Sequence, residues 1–158
     1  HAVGAPWTHV GRGEITIDSG AEESCWPRNV LNQMPVRKTE RKMKFFAANG
    51  VEMIHDGEKP VTFESGNDGS VLGMDFQVTD VQKPLCAVWR IAAQNQRVVF
   101  GPSDEDNYIQ DIATGSKIMM VRKGGSYVLP VNYVVSNDCS SPPADPAVAS
   151  GFPRPVQR

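Results

Sequence analysis

The sequence predicts an all-β domain carrying one short helix, on three observations: apolar residues recur with period two rather than 3.6, each run is short, and turn-forming pairs separate the runs. Ile15 and Ile17 alternate with Glu14 and Thr16, and Met43, Phe45 and Ala47 alternate with Lys42, Lys44 and Phe46. Val61 and Phe63 flank Thr62, and Met74, Phe76 and Val78 alternate with Asp75, Gln77 and Thr79. Further runs stand at 97–100, 108–112, 117–121 and 127–135. The turn signals are Asn49-Gly50, Asp56-Gly57, Asp68-Gly69, Gly101-Pro102, Thr114-Gly115 and Gly124-Gly125. Short strands at this spacing predict a closed or sandwich-like β domain.

One segment breaks the pattern. Over 85–93, Leu85, Val88, Trp89 and Ala92 follow the i, i+3, i+4, i+7 spacing of a helix face, and Pro84 stands at the start, where its missing N–H costs nothing. This predicts a short helix packed on the β domain, with Trp89 in the core rather than serving as a binding platform. Residues 136–158 hold five prolines (Pro142, Pro143, Pro146, Pro153 and Pro155) and few large apolar residues to offset the entropy of ordering. They read as a Pro-rich disordered tail or linker, which leaves 1–135 as the folded domain.

A chain of 158 residues suits one domain, and 40% hydrophobic residues suffice for a core. The formal net charge of -2 lacks the basic surplus of a nucleic-acid binder, so no direct nucleic-acid binding is expected. No apolar run approaches the roughly 20 residues that span a bilayer, and no signal-peptide pattern is present. The expectation is a soluble, intracellular, cytoplasmic protein with no membrane partner. The three cysteines, Cys25, Cys86 and Cys139, are odd in number and form no CxxC pair, which fits a reduced compartment. His1, His9 and His55 lack zinc-ligand spacing, so no metal is expected. His1 in place of a starting Met fits a processed product or a piece of a longer polypeptide.

The stretch that carries chemistry is Glu14-Ile15-Thr16-Ile17-Asp18-Ser19-Gly20-Ala21. A strand feeds directly into Asp-Ser-Gly-Ala and sets a carboxylate on a tight turn at the end of a rigid element. Gly20 permits a backbone conformation that a β-carbon would obstruct and lets another chain approach closely, and Ser19 offers a small hydroxyl across such an approach. An aspartic protease needs this arrangement. One carboxylate takes a proton from water, and its protonated partner polarises the peptide carbonyl and protonates the leaving amine. Two carboxylates about 3 Å apart repel by several kcal/mol even at an effective dielectric near 20, so the pair shares one proton. No cofactor is required. A second Asp-[Ser/Thr]-Gly is absent: Asp68-Gly69-Ser70 has the wrong order and Ala113-Thr114-Gly115 lacks the acid. The second aspartate must therefore be Asp18 of another copy, which makes a homodimer part of the expectation.

With these residues in place, the chain resembles the retropepsin-type aspartic proteases, and among them those of copia-type retrotransposons. Ile17-Asp18-Ser19-Gly20-Ala21 is similar to the catalytic turn, and Lys44-Phe45-Phe46-Ala47-Ala48-Asn49-Gly50-Val51 resembles the hairpin that becomes the flap. Phe76-Gln77-Val78-Thr79-Asp80-Val81 followed by Lys83-Pro84-Leu85-Cys86-Ala87-Val88 resembles the segment leading into the family's single helix. Arg97-Val98-Val99-Phe100 and Gly125-Ser126-Tyr127-Val128-Leu129 are similar to its closing strands. The resemblance implies a retropepsin-like closed β-barrel with Asp18 catalytic and Ser19, Gly20 and Ala21 as the active-site turn. It also implies that Ala48, Asn49, Gly50 and Val51 form a substrate-binding flap. The implied substrate is the element's own polyprotein, with an integrase domain beyond the Pro-rich segment. The chain departs from the family at Ala87, where Gly or Ser is usual, and at Cys86, which replaces a larger aliphatic residue.

Other features read as ordinary. Asn49-Gly50 is by itself a type I′ hairpin turn. Glu22 and Glu23 read as solvated turn carboxylates, the basic run over 37–42 as an exposed loop, and Asp104-Glu105-Asp106 as a polar hairpin tip rather than a calcium loop. The rival expectations are a catalytically inactive retropepsin-fold barrel serving as a binding or dimerisation module, and an unrelated β-barrel with Asp18 away from any cleft.

Overall fold

The computed structural model describes residues 6–39, 43–47, 49–65, 70–137 and 154–155. Ala48, Asp68-Gly69, Cys139 and most of the Pro-rich segment lie outside them. Among the described residues the chain is all-β with one short α-helix and a single 3-10 turn at Asp104–Asp106. Its strands are β1 (Trp7–Asp18), β2 (Cys25–Pro27), β3 (Phe45–Phe46), β4 (Glu52–Met53), β5 (His55–Glu64), β6 (Val71–Thr79) and β7 (Leu85–Ala87). The helix α1 (Val88–Ala93) follows, then β8 (Gln96–Val99), β9 (Tyr108–Asp111), β10 (Lys117–Met119), β11 (Val121–Lys123), β12 (Ser126–Ser136) and β13 (Arg154–Pro155).

The main sheet runs β1-β7-β2-β6-β5-β12-β11, and β12 also pairs with β1, so the hydrogen-bonded path returns to its start. β1 lies antiparallel to β12 from Trp7↔Ser136 to Ile17↔Tyr127 and parallel to β7 from Thr16↔Leu85 to Asp18↔Ala87. Strands β8, β9 and β10 form a separate three-stranded sheet, while β3 and β4 form a two-stranded hairpin. β13 pairs antiparallel with β6.

At the centre Trp26 meets Phe76 edge-on at 5.0 Å and Tyr133 at 5.5 Å, all buried among Ile15, Ile17, Phe63 and Met74. Each such aromatic side chain contributes about 1.5–3 kcal/mol by burial. Lys59 is buried beside them: its Nζ donates to the Val30 and Leu31 carbonyls, both at 2.9 Å, and lies over the Trp26 ring at 5.8 Å. Burial lowers the Lys59 pKa, while the two carbonyls satisfy its ammonium and tie the following loop to the core.

Four local expectations are corrected. The helix starts at Val88, because Leu85, Cys86 and Ala87 are held as a strand against β1. Its buried residue is Ile91, and Trp89 is 50% exposed rather than in the core. Asp56-Gly57 is not a turn but a bulge inside β5, where the register shifts between His55 and Gly57. β6 does not alternate between core and water, since all nine of its residues are buried, including Asp75, Gln77 and Thr79.

Candidate functional site

Asp18 is the last residue of β1, with β7 beside it and β12 alongside the preceding residue, so a rigid element fixes its Cα. The chain then turns sharply. The Gly20 N–H donates to Asp18 Oδ1 at 2.8 Å and the Ala21 N–H reaches the Asp18 carbonyl at 3.4 Å. This leaves Asp18 half-buried and Ser19 and Gly20 exposed. From below, the buried Ser24 accepts the Ala87 N–H at 3.1 Å, and the Ser24 carbonyl accepts the Gln77 N–H at 2.8 Å, which ties the returning chain to β7 and β6.

Gly20 departs from its expected role within the subunit. Its backbone is outside the left-handed region, and a β-carbon there would meet only Asp18 Oδ1, at 3.4 Å, an ordinary van der Waals contact. Among the described residues of one subunit, nothing demands glycine at this position.

Two grooves meet at Asp18. The larger, about 880 Å³, runs from Asp18, Gly20 and Ala21 past Glu22 and Glu23 to Phe45, Phe46, Ala47 and Met53 of the β3–β4 hairpin. The smaller, about 460 Å³, holds Asp18 and Ser19 with Lys83, Phe100 and Tyr127. Residues expected on sequence grounds thus divide. Asp18, Gly20 and Ala21 share a groove with the hairpin, and Ser19 lines the other. Asn49, Gly50 and Val51 form the exposed tip and do not line the groove. The tip is closed by Ala47 N–H to the Val51 carbonyl at 2.8 Å, Gly50 N–H to the Ala47 carbonyl at 2.9 Å, and Val51 N–H to Asn49 Oδ1 at 3.1 Å. Gly50 has φ +84°, the conformation for which glycine is suited.

Helix α1 locks onto the turn through Trp89 and Arg90. Trp89 Nε1 donates to the Glu22 carbonyl at 2.7 Å, and Arg90 pairs with Glu23 at 2.6 Å while stacking 4.3 Å from the Trp89 ring. Glu23 is therefore an anchored carboxylate, not a solvated one. The spacing of 67 residues between these partners gave no local signal. Burial, with the Glu23 charge, pushes the Cys25 thiol up to about 12, and burial pushes Cys86 to about 12 against the opposing Ser24 hydrogen bond. Both thiols stay protonated at neutral pH, which rules them out as resting nucleophiles. At the site Asp18, held at Oδ1, stands where two grooves meet and is faced by a short hairpin, with Glu22 and the Arg90-paired Glu23 along the larger groove. A carboxylate held as Asp18 is accepts a proton from water or shares one with a second acid. Comparison with protein-family models, curated proteins and solved structures finds no match.

Proposed function

We propose that the chain is one subunit of a homodimeric aspartic endopeptidase of retropepsin type, with Asp18 as its half of the catalytic dyad. The observation that carries this reading is the position of Asp18, half-exposed at a strand end on the Asp-Ser-Gly turn, in a groove shared with a hairpin. On this reading the ring of pairings from β1 round to β12 is the family's closed barrel, and the β3–β4 hairpin is its flap. The natural substrate is a retrotransposon-type polyprotein containing the chain itself.

The chemistry follows from pairing two such turns across a two-fold axis. With Oδ1 of each aspartate held by its own turn amide, the remaining oxygens face one another and share one proton. The ionised member removes a proton from water as it attacks the peptide carbonyl. The protonated member polarises the carbonyl by hydrogen-bonding its oxygen and then delivers its proton to the leaving amine, while the proton taken from water stays on the dyad. A glycine two residues after the acid lets the second turn approach, which supplies the reason for Gly20 that the single subunit lacks.

The test is cleavage of a peptide library by the purified chain at acidic to neutral pH, compared with Asp18→Asn. The expected result is site-specific cleavage that falls at least about a hundredfold in the variant. Cleavage that survives Asp18→Asn, or none by the unaltered dimer at any pH, sinks the reading. Dimers without cleavage would instead favour the binding-module alternative.

A further inference from the structure

We infer that His55 is a positioning residue for the hairpin facing Asp18, held by a side-chain relay that runs from His55 through Gln77, Glu58 and Arg37 to Asp75. This rests on the reading of Asp18's groove as a peptide site. Among the described residues the hairpin has two ladder pairs, Phe45↔Met53 and Phe46↔Glu52, besides the bonds that close its tip, too little to fix its own position in water. A contact able to set its position from outside is made by the His55 ring, which lies 5.2 Å from the ring of Phe45, a residue that lines the groove with Asp18.

His55 is in turn held from β6. Its Nε2 lies 2.8 Å from Gln77 Oε1, and the Gln77 amide nitrogen donates to Glu58 Oε1 at 3.1 Å. With the Gln77 nitrogen so used, its oxygen accepts and His55 Nε2 donates. Arg37 Nη2 closes the relay, reaching Glu58 Oε2 at 3.1 Å and Asp75 Oδ2 at 2.7 Å. Backbone bonds between Arg37 and Glu58, at 2.7 and 2.9 Å, fix the arginine at the strand. Glu58, Asp75 and Gln77 are all buried, so a break anywhere leaves an unsatisfied polar group, and the relay persists as a unit.

Two variants test this in the full chain: Gln77→Leu, which cuts the relay, and His55→Phe, which keeps a ring against Phe45 but removes Nε2. The direct readout is hydrogen exchange at the Ala47 and Gly50 amides, with amides of β5 and β6 as the core reference. Exchange at the hairpin should quicken about tenfold in both variants while the core stays protected, the effect of losing one buried hydrogen bond. With an active enzyme, KM for a cleaved peptide should rise by a similar factor with kcat largely kept, since the hairpin acts on binding. Hairpin exchange unchanged in either variant overturns the inference. Equal quickening of hairpin and core also overturns it, because the relay would then be merely structural. A chain that cleaves nothing but shows the hairpin-specific exchange sinks the peptidase reading alone and leaves the relay standing.

Discussion

Asp18 and Gly20 together define what a single residue contributes here. The Gly20 amide occupies one carboxylate oxygen, and the other has no hydrogen-bond partner among the described residues. Because a β-carbon at position 20 meets nothing closer than 3.4 Å within the subunit, Gly20→Ala should leave monomer stability within about 0.5 kcal/mol by urea titration. The same substitution should abolish cleavage and weaken dimerisation, measured by sedimentation, if the partner's turn must pass close to it. Loss of monomer stability instead would show that glycine serves the subunit itself. The acid and its turn were legible in the sequence because the motif is local, with donor and acceptor two residues apart. The clamp of Trp89 and Arg90 on Glu22 and Glu23 was not legible, because it joins residues far apart along the chain.

At the scale of elements, period-two patterning located most strands but misjudged which faces water reaches. Alternation marks a strand with one wet face. β6 carries that pattern, yet its polar face is covered by Arg37, Glu58 and His55, so the polar residues are buried and bonded rather than solvated. The Asp-Gly pair at 56–57 has turn chemistry but sits in a bulge. Gly57 adopts φ +142°, and a β-carbon there would lie 2.4 Å from the Arg37 carbonyl oxygen. Gly57→Ala should therefore destabilise the fold by about 2 kcal/mol or more, seen as a lower urea midpoint at unchanged slope. A midpoint equal to wild type would show that the bulge relaxes without cost. The helix starts three residues later than its period suggests because Leu85, Cys86 and Ala87 are committed to β7, whose pairing with β1 a helical period cannot reveal.

For the molecule as a whole, the buried polar relay makes stability depend on pH. Burial raises the Asp75 carboxyl from 3.8 to about 6, opposed by the Arg37 guanidinium and assisted by the Glu58 charge. The folded state then holds this proton more tightly than the unfolded chain, so the group's contribution is fully present below the unfolded pKa and is lost as pH rises through about 6. Relative to Asp75→Asn, wild type should gain stability as pH falls from 7 to 4, by on the order of 1–3 kcal/mol. Thermal denaturation of the two proteins across that interval measures the difference, and the opposite trend would mean that the Arg37 pairing outweighs burial. The sequence by itself determined the β class, the order of most strands and the acid on its turn, since these follow from side-chain period and from bonds between near neighbours. Only the tertiary structure decided that the hairpin base rather than its tip lines the groove, that Trp89 lies at the surface, and that Arg37 is tied to Asp75. Each of these is a contact between distant segments, fixed by strand register and burial, and neither quantity is written in any short stretch of chain.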